Sequence, residues 1–574
     1  MARRSPVPGA VSLGAARLLP RRDDWTRSRP ARDLTAGVMV ALVALPLALG
    51  FGASSGVGAG AGVVTAIVAG AVAAVFGGSH VQVSGPTGAM TVVLVPIVAD
   101  HGPDGVLVVG LLAGLLLLGL ALSGAGRAVR YIPVPVIEGF TVGIAAIIAL
   151  QQLPSALGVD VHAEKVLVLA VEAGRAWLEE PHPGAVACTA AVVAVILLGA
   201  RVRPGFPFAL LAVAGATVLN VVVRDAGDGD PGGGLATIGH LPSGLPAPHL
   251  PAVPWAHLDS LLLAAVAVAA LGALESLLSA SVADAMTVGE RHEPDRELLG
   301  QGLANVASPL FGGLPATAAI ARTAVNVRAG ATSRLAALVH ALVLLAVVLV
   351  GARWVAEIPM AALAGVLVAT AVQMVRVSSL SALVRSTRGD AATLVVTAVA
   401  TVALDLVAAV LVGLVAAGFF ALRQTARTAR LEEISLDDAA DRGGPGDRSD
   451  HLEEERRLLD EQVVAYRIDG PLFFAAAHDF LLELAEVSRV RVVVLRMSHV
   501  TTIDATGAHV LADVIGRLER RGVTVLLSGV RPQHRAVLEQ LGVLDGLAHE
   551  RHLFATTPEA IAHARDHAAR TAHG

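Results

Sequence analysis

Apolar runs of bilayer-spanning length recur along most of this 574-residue chain, from Leu34 to about Leu422. A helix needs roughly 20 apolar residues to cross the hydrocarbon core of a membrane. The mean hydropathy is +0.67 and 16% of the residues are charged, whereas soluble proteins keep about 25% charged residues. We therefore predict a polytopic membrane protein.

The apolar pattern predicts fourteen membrane segments, some of them short. Their approximate spans are 34–53, 58–77, 86–99, 104–123, 133–152, 184–200, 206–223, 258–280, 296–311, 317–329, 335–352, 359–375, 390–405 and 407–422. Loops that follow even-numbered segments are rich in Arg, which by the positive-inside rule makes them and both chain ends cytoplasmic. A count of twelve, without two of the short segments, satisfies the same rule.

The two ends of the chain differ in composition from the apolar middle. Residues 1–33 are rich in Arg and lack the apolar core of a cleaved signal peptide, which indicates a cytoplasmic tail. Residues 425–461 are charged and indicate a linker after a membrane part that covers 34–424. The remaining residues, 462–574, predict a small α/β domain. Its predicted strands are 463–468, 490–495 and 523–528, and its predicted helices are 475–485, 504–520, 533–541 and 558–569.

The third apolar segment is interrupted by a turn-like sequence, "VQVSGPTGAM", at residues 81–90. Unpaired backbone groups cost several kcal/mol each in hydrocarbon, so irregular backbone at that depth must face protein or a water-filled cavity. Pro86 suits the first turn of a helix, where its missing N–H is no loss. We predict an extended stretch over 81–83, followed by a half-helix that begins near Pro86.

A second interruption, "GGLPATAAIARTAVN" at residues 312–326, lies in the tenth segment. The two broken segments are seven segments apart, an odd number, so they run in opposite directions. Paired breaks in two halves of a membrane chain point to an inverted-repeat transporter whose site lies between them.

The two half-helix N-termini would each present free N–H groups and roughly +0.5 of an elementary charge. Arg322 lies in the first turns of the second half-helix and adds a full positive charge. This combination predicts an anion site. The alternative for Arg322 is a side chain that extends to the cytoplasmic surface.

Glu275, in "LGALESLLSAS", is the one acidic residue that the sequence predicts deep in the membrane. A carboxylate at that depth is costly unless it faces a cavity or a partner, and burial favours its neutral form. Glu275 is therefore the candidate proton carrier. Ser279 lies one turn further along the same helix face. The alternative is a residue at the cytoplasmic end of the helix.

The chain resembles the sulfate permease (SulP) family of anion transporters over about residues 33–570. The resemblance rests on "DLTAGVMVALVALPLALGFG" (33–52), "VQVSGPTGAM" (81–90), "IPVPVIEGFTVGIAAIIALQQLP" (132–154), "GALESLLSAS" (272–281) and the long stretch 300–341. Residues 462–574 resemble a STAS domain through "VTTIDATGAHVL" (500–511).

This resemblance implies a seven-plus-seven inverted repeat divided into a core and a gate domain, with a cytoplasmic STAS domain after it. It also implies a homodimer that moves anions by an elevator-like motion. The family's anion site falls on the first segment near Pro46 and on the two half-helix starts, and its acidic core residue falls on Glu275. The implied substrate-binding residues are Pro46, Pro86, Thr87, Gly88, Ala89, Ala318, Ala319, Ile320 and Arg322.

Three positions depart from relatives in the resembled family. Sodium-coupled bicarbonate carriers have a hydroxyl where Ile320 stands, which weakens a case for sodium coupling. Members thought to be proton-coupled carry a Glu on segment one, where this chain has Leu47 and Ala48. In the STAS loop, Ala505 follows Asp504 where many relatives have a phosphorylated Ser, so Thr506 would have to substitute in that regulation.

The sequence thus predicts secondary active transport of a small inorganic oxyanion, sulfate first and bicarbonate next, by proton symport or exchange. Sodium-coupled bicarbonate uptake, C4-dicarboxylate uptake and a nucleobase permease of the same fold remain alternatives. A regulatory protein anchored by its membrane part is a further rival, but fourteen segments exceed what an anchor needs. We expect no enzyme activity, cofactor, metal or nucleic acid. The expected partners are the anion, protons, the lipid bilayer of a bacterial inner membrane, a second copy of the chain and a cytoplasmic protein bound to the STAS domain.

Overall fold

The structure is a computed structural model. It describes residues 20, 29–127, 132–161, 163, 165–203, 206–226, 234–239, 241, 243–287, 291–404, 406–426, 430–433, 462–473, 490–547, 549 and 552–572. The predicted helix 475–485, most of the tail 1–33 and most of the linker 425–461 lie outside these ranges.

The first half of the membrane part contains eight described helices and one short strand. These are α1 (Pro30–Ser54), α2 (Ala59–Phe76), β1 (Ser84–Gly85), α3 (Gly88–Ser123), α4 (Val134–Gln151), α5 (Leu153–Leu157), α6 (Val166–Glu179), α7 (Pro183–Val202) and α8 (Phe208–Ala226). The long α3 is interrupted at Gly102, whose φ of 69° is not helical. Because Pro103 follows directly, α3 comprises two predicted segments.

The second half repeats this pattern of long helices around one strand and a short helix. Its elements are α9 (Leu258–Met286), α10 (Pro294–Leu310), β2 (Thr317–Ala318), α11 (Ile320–Arg328), α12 (Arg334–Val355), α13 (Met360–Met374), α14 (Val377–Ser386), α15 (Arg388–Ala403) and α16 (Leu406–Ala426). A short 3₁₀ turn, Trp255–His257, precedes α9.

All fourteen predicted segments overlap a described helix. Ten helical stretches among the described residues are long and apolar enough to span a membrane. The break in α3 adds one segment, and the shorter α10, α11 and α15 add three, which gives fourteen. Seven segments lie in each half of the chain. Helices α5, α6 and α14 were not predicted.

The membrane helices pack as two groups. One contains α1, α2, α3, α9, α10, α11 and α12, and the other is built around α4, α7, α8, α13 and α15. Close approach depends on small residues: a Cβ on Gly62 of α2 would collide with the Ala48 carbonyl of α1. The first group contains both broken segments, in agreement with the expected core.

The soluble part is an α/β domain built on a mostly parallel sheet. Its elements are β3 (Arg430–Glu433), β4 (Val463–Leu472), β5 (Val492–Arg496), β6 (Val500–Ile503), α17 (Ala505–Arg520), β7 (Thr524–Ser528), α18 (Pro532–Gln540), a 3₁₀ turn (Leu544–Gly546), β8 (Leu553–Phe554) and α19 (Thr557–Ala572). The strand order is β3-β4-β5-β7-β8, and β6 also pairs with β4. Only the β3–β4 pair is antiparallel.

The sheet of this domain is covered on both faces. Leu511 and Ile515 of α17 are fully buried in one apolar cluster, and Ala560 and Ala564 of α19 are fully buried in another. Strands covered on both sides are apolar throughout, as Val492–Leu495 is. The domain therefore has a hydrophobic core of its own.

We predict that residues 462–574 fold as an isolated fragment, because this core does not require the membrane part. Circular dichroism should show mixed α/β structure and a cooperative thermal transition. A fragment that starts at 427 should melt at a higher temperature, because β3 covers the edge of β4. A random-coil spectrum from both fragments would contradict the prediction.

We further predict that the stability of this fragment falls as the pH drops from about 6.5 towards 4. Burial, together with the nearby His563, His567 and His549, lowers the pKa of His552 from 6.5 to about 4. Between these values the unfolded chain binds the extra proton, so the free energy of unfolding rises with pH. Urea unfolding at several pH values measures the slope, which His552→Phe should flatten. His509→Phe, at an exposed site on α17, controls for the substitution itself, and an unchanged slope in His552→Phe would refute the assignment.

Candidate functional site

The two broken segments meet inside the first group of membrane helices. Strands β1 and β2 pair antiparallel, with Ser84 opposite Ala318 and Gly85 opposite Thr317. Each strand leads directly into a helix, α3 at Gly88 and α11 at Ile320. The free N–H groups and the positive dipole ends of two half-helices therefore lie close together. We call this meeting point, formed by β1, β2 and the first turns of α3 and α11, the crossing.

The first half-helix begins two residues later than the sequence predicted. Pro86 precedes the helix, and Thr87 is its N-cap, with an extended backbone and an Oγ1 that accepts a hydrogen bond from the Met90 N–H at 3.4 Å. A threonine hydroxyl can satisfy a free N–H, which proline cannot do. The Pro86 carbonyl is thereby left available to another partner.

Position 85 at the crossing requires a glycine for two reasons, its backbone conformation and the lack of room for a side chain. Its φ of +154° disfavours residues with a Cβ, and a Cβ there would collide with the guanidinium of Arg322. The arginine side chain therefore passes directly over the backbone of β1.

Arg322 connects the two half-helices. It is the third residue of α11 and is 1% exposed. Its Nη2 donates a hydrogen bond to the Pro86 carbonyl at 2.5 Å. Its Nη1 is buried and has no hydrogen-bond partner among the described residues. The burial rules out a side chain that extends to the cytoplasmic surface, and the free Nη1 is a donor suited to an anion.

Glu275 reaches the same crossing from α9. Its side chain is partly exposed, and its Oε2 accepts a hydrogen bond from the Thr87 hydroxyl at 2.8 Å. Its charge attracts that of Arg322. The described ion pairs do not join the two residues, so each retains capacity for a further partner.

The described hydrogen bonds of Ser279 join it to α11 and not to Glu275. Its hydroxyl donates to Thr323 Oγ1 at 3.1 Å, and that oxygen also accepts the Val83 N–H at 3.2 Å. Ser276, nearer to Glu275 in the chain, lies 3.1 Å from Thr317 Oγ1. The hydroxyls of α9 thus hold the crossing together.

The remaining predicted site residues surround the same point. Gly88 and Ala89 are buried at the start of α3, and the N–H groups of Ala318 and Ala319 bind Ser276 Oγ and the Val83 carbonyl. Ala319 and Ile320 are partly exposed, so the N-terminus of α11 is accessible.

Pro46 is buried within α1, a helix that packs against α11. The same helix also reaches α3, since the Phe51 carbonyl of α1 accepts the Thr91 hydroxyl at 3.4 Å.

Two acidic residues that the sequence analysis did not single out are enclosed by protein in the first turns of their helices. Asp33 and Glu297 are 0% and 2% exposed. Asp33 accepts hydrogen bonds from Thr332 and Ser333, and Glu297 accepts backbone N–H bonds from the loop before β1. These partners are distant in sequence, so the local pattern could not indicate them.

The sequence interpretation also missed His340 on α12. It is fully buried beside Gly70 of α2, and within the described part of the chain neither ring nitrogen has a hydrogen-bond partner. It interacts electrostatically with Arg322. A histidine within an apolar run was the available signal. His340 therefore adds a third titratable group near the crossing.

In the soluble domain, Asp504 is the N-cap of α17 and accepts the Gly507 N–H at 2.7 Å. Thr506 is exposed in the first helical turn. Across the part of the chain that is described, no group of three or more His, Cys, Asp or Glu side chains is arranged to hold a metal ion.

Comparison with known proteins agrees with this architecture. Residues 31–397 match the model of the sulfate permease family, and residues 459–560 match the STAS domain. The chain is 33% identical to a putative sulfate transporter, YvdB of Bacillus subtilis, over 91% of this chain and 96% of that protein. It is 31% identical to the bicarbonate transporter BicA of Synechocystis, with coverage of 89% and 90%.

Among solved structures, the fold is similar to that of SLC26A9, with a TM-score of 0.77 at 17% identity. The match covers 100% of this chain and 99% of that one. At this identity the likeness concerns the fold alone. The family match over the membrane helices and the STAS match that follows them lead to one conclusion: the chain belongs to the sulfate permease family.

Proposed function

We propose that the protein is a secondary active transporter of a small inorganic oxyanion, with no catalytic reaction of its own. The observation that carries the proposal is the buried Nη1 of Arg322, which no described residue binds, at the meeting point of two half-helix N-termini. A desolvated guanidinium donor next to free backbone N–H groups favours an anion.

The charge at the crossing limits the class of substrate. Two half-helix dipoles supply roughly +0.5 each and Arg322 supplies one more, about +2 in all. With Glu275 protonated this balance suits a dianion, and with Glu275 ionised about +1 remains, which suits a monoanion. The likeness to a putative sulfate transporter and to a bicarbonate transporter matches these two cases. We propose sulfate first and bicarbonate next.

Coupling to protons would follow from the position of Glu275. Its carboxyl group is close enough to Arg322 for their charges to interact, so an arriving anion and the ionised carboxylate compete for the same positive field. Protonation of Glu275 removes that competition. Anion and proton binding then favour each other, which is the thermodynamic requirement for symport. Exchange of one anion for another uses the same site without the proton.

Sodium-coupled bicarbonate uptake is a second candidate because of the likeness to BicA. Ile320 opposes it, since this apolar residue lies at the start of α11 and supplies no oxygen for a cation. C4-dicarboxylates would satisfy the same positive charge. A nucleobase permease is less compatible, because Arg322 is unsuited to a neutral base and a STAS domain follows the membrane part.

We also propose the membrane location, the orientation, the oligomeric state and the domain roles of the transporter. It would lie in a bacterial cytoplasmic membrane with both ends inside the cell, and it would act as a homodimer. The division into a tail, a transport domain, a linker and the STAS domain would separate transport from regulation. Asp504 and the exposed Thr506 would form part of a regulatory surface for a cytoplasmic protein.

Uptake by the purified full-length chain in liposomes tests the proposal. Sulfate, bicarbonate and fumarate should be compared with and without a pH gradient and with and without sodium. We expect accumulation of sulfate or bicarbonate driven by an inward proton gradient. Uptake of fumarate alone, or strict dependence on sodium, would overturn the proposed substrate and coupling.

We predict that Arg322→Ala abolishes anion binding, because it removes a full positive charge from the crossing. The variant should still insert and keep the oligomeric state of the wild type. Isothermal titration of the detergent-purified protein measures the binding. Arg328→Ala is the matched control, since Arg328 lies on the same short helix but is exposed. Wild-type affinity in Arg322→Ala would refute the site.

We predict that Glu275→Gln binds and exchanges the anion but does not accumulate it when a pH gradient is imposed. Glutamine resembles the protonated carboxyl group and cannot release a proton. Counterflow and gradient-driven uptake in the same liposomes separate the two activities. Asp259→Asn, at the exposed start of the same helix α9, is the control. Full pH-driven accumulation by Glu275→Gln would contradict the coupling scheme.

A further inference from the structure

One face of α10 holds both broken segments. This α10 polar face consists of Glu297, Gln301, Asn305 and Ser308, spaced by four, four and three residues. Such spacing places them on one side of a helix. All four are between 0% and 2% exposed, although the helix runs between the apolar helices α2 and α3. Buried polar side chains in such a place need partners, and here the partners lie in the two broken segments.

The first two residues hold the segment that leads into α3. Glu297 Oε2 accepts the N–H groups of Gly78 and Ser79 at 2.8 and 3.3 Å. Gln301 Nε2 donates to Ser84 Oγ at 2.6 Å and to Glu297 Oε1 at 2.9 Å. Ser84 belongs to β1, so the start of the first half-helix is fixed to α10.

The other two residues hold the segment that leads into α11. Asn305 Nδ2 donates to the Ala316 carbonyl at 2.8 Å, and its Oδ1 accepts the Ala316 N–H at 2.8 Å. Ser308 Oγ donates to the Leu314 carbonyl at 2.8 Å. Ala316 directly precedes β2, so the start of the second half-helix is fixed to the same helix.

We propose that the α10 polar face determines anion specificity by fixing the separation between the two half-helix N-termini. Gln301 and Asn305 lie one turn apart, about 6 Å along the helix axis. This rigid spacing sets where the free N–H groups of α3 and α11 stand relative to each other. Preorganised donors favour the anion whose size matches their separation. The inference rests on the proposed anion site.

Removing the hydrogen bonds of Gln301 or Asn305 should therefore change the relative affinities for different anions. It should have a smaller effect on the amount of active protein. If Gln301 or Asn305 only stabilised the fold, its loss would reduce the uptake of every anion by the same factor. If it sets the separation of the donors, anions of different size will be affected unequally. The ratio of apparent affinities is independent of how many molecules are folded.

The test uses Gln301→Met and Asn305→Leu, which keep side-chain volume and remove the hydrogen bonds. Full-length variants in liposomes would be assayed by competition with two same-charge series: sulfate, selenate and molybdate, and chloride, nitrate and bicarbonate. The spread is the ratio of the apparent affinities of the strongest and the weakest competitor in the transported series. We expect this ratio to fall by roughly tenfold in the variants. As the control, Thr189→Val on α7 removes a buried hydroxyl bond to the Ala361 carbonyl of α13, away from the crossing, and should keep the wild-type spread.

The outcomes separate this inference from the proposed function. If the wild type transports no anion of either series, the proposed function is wrong and the inference falls with it. If the wild type discriminates and both variants keep its spread, the α10 polar face is structural only. Should both variants fail to fold, Ser84→Ala and Ser308→Ala remove single bonds. An unchanged spread or unfolded protein in these milder variants overturns the inference equally.

Discussion

A backbone that stops being helical inside a bilayer must find hydrogen-bond partners within the protein, because hydrocarbon offers none. Two such interruptions, at β1 and β2, occur in the described membrane part, and many of the polar side chains buried around them bind backbone groups there. Strands β1 and β2 bind each other, and Ser276 Oγ of α9 accepts the Ala318 N–H of β2. Thr323 Oγ1 of α11 accepts the Val83 N–H before β1, and the α10 polar face binds the backbone that leads into both strands. The crossing is irregular in backbone but well supplied with partners.

Buried polar atoms that remain without a partner are therefore informative. Among the described residues these include Arg322 Nη1, Gln82 Oε1, Gln301 Oε1 and both ring nitrogens of His340. Of these four side chains, Arg322 is the one that carries a permanent positive charge. A buried cationic donor without a partner is destabilising in the absence of a ligand. The same nitrogen lies where two helix dipoles present positive charge. The buried guanidinium and the two helix dipoles destabilise the empty site, and the same features favour an anion. The affinity for an anion therefore arises from the two breaks in the membrane helices.

The fourteen membrane segments could be predicted from the sequence, because the length of an apolar run reports directly on the bilayer, whereas the helices α5, α6 and α14 between them could not. The two interruptions could also be predicted, since Gly85, Pro86, Gly312 and Pro315 stand out within apolar runs. Arg322 and Glu275 followed from charge at depth. Each of these signals is local, a property of one stretch of chain.

What could not be predicted depends on pairs of residues far apart in sequence. Nothing near Arg322 indicates that it binds the Pro86 carbonyl, and nothing near Asp33 indicates Thr332. Glu297, Gln301 and Asn305 recur every four residues along α10, and this spacing can be read from the sequence. Their hydrogen-bond partners cannot, because they depend on how α10 packs. The helix begins after Thr87 and not at Pro86, because the Thr87 hydroxyl binds both the Met90 N–H and the Glu275 carboxyl group.

The most direct test of the account is the position of a bound anion. Anomalous diffraction from crystals soaked with selenate or bromide would locate it without reference to transport. The account predicts a peak within hydrogen-bonding distance of Arg322 Nη1, between the N-termini of α3 and α11. A peak bound elsewhere in the membrane part, with this crossing unoccupied at saturating anion, would contradict it.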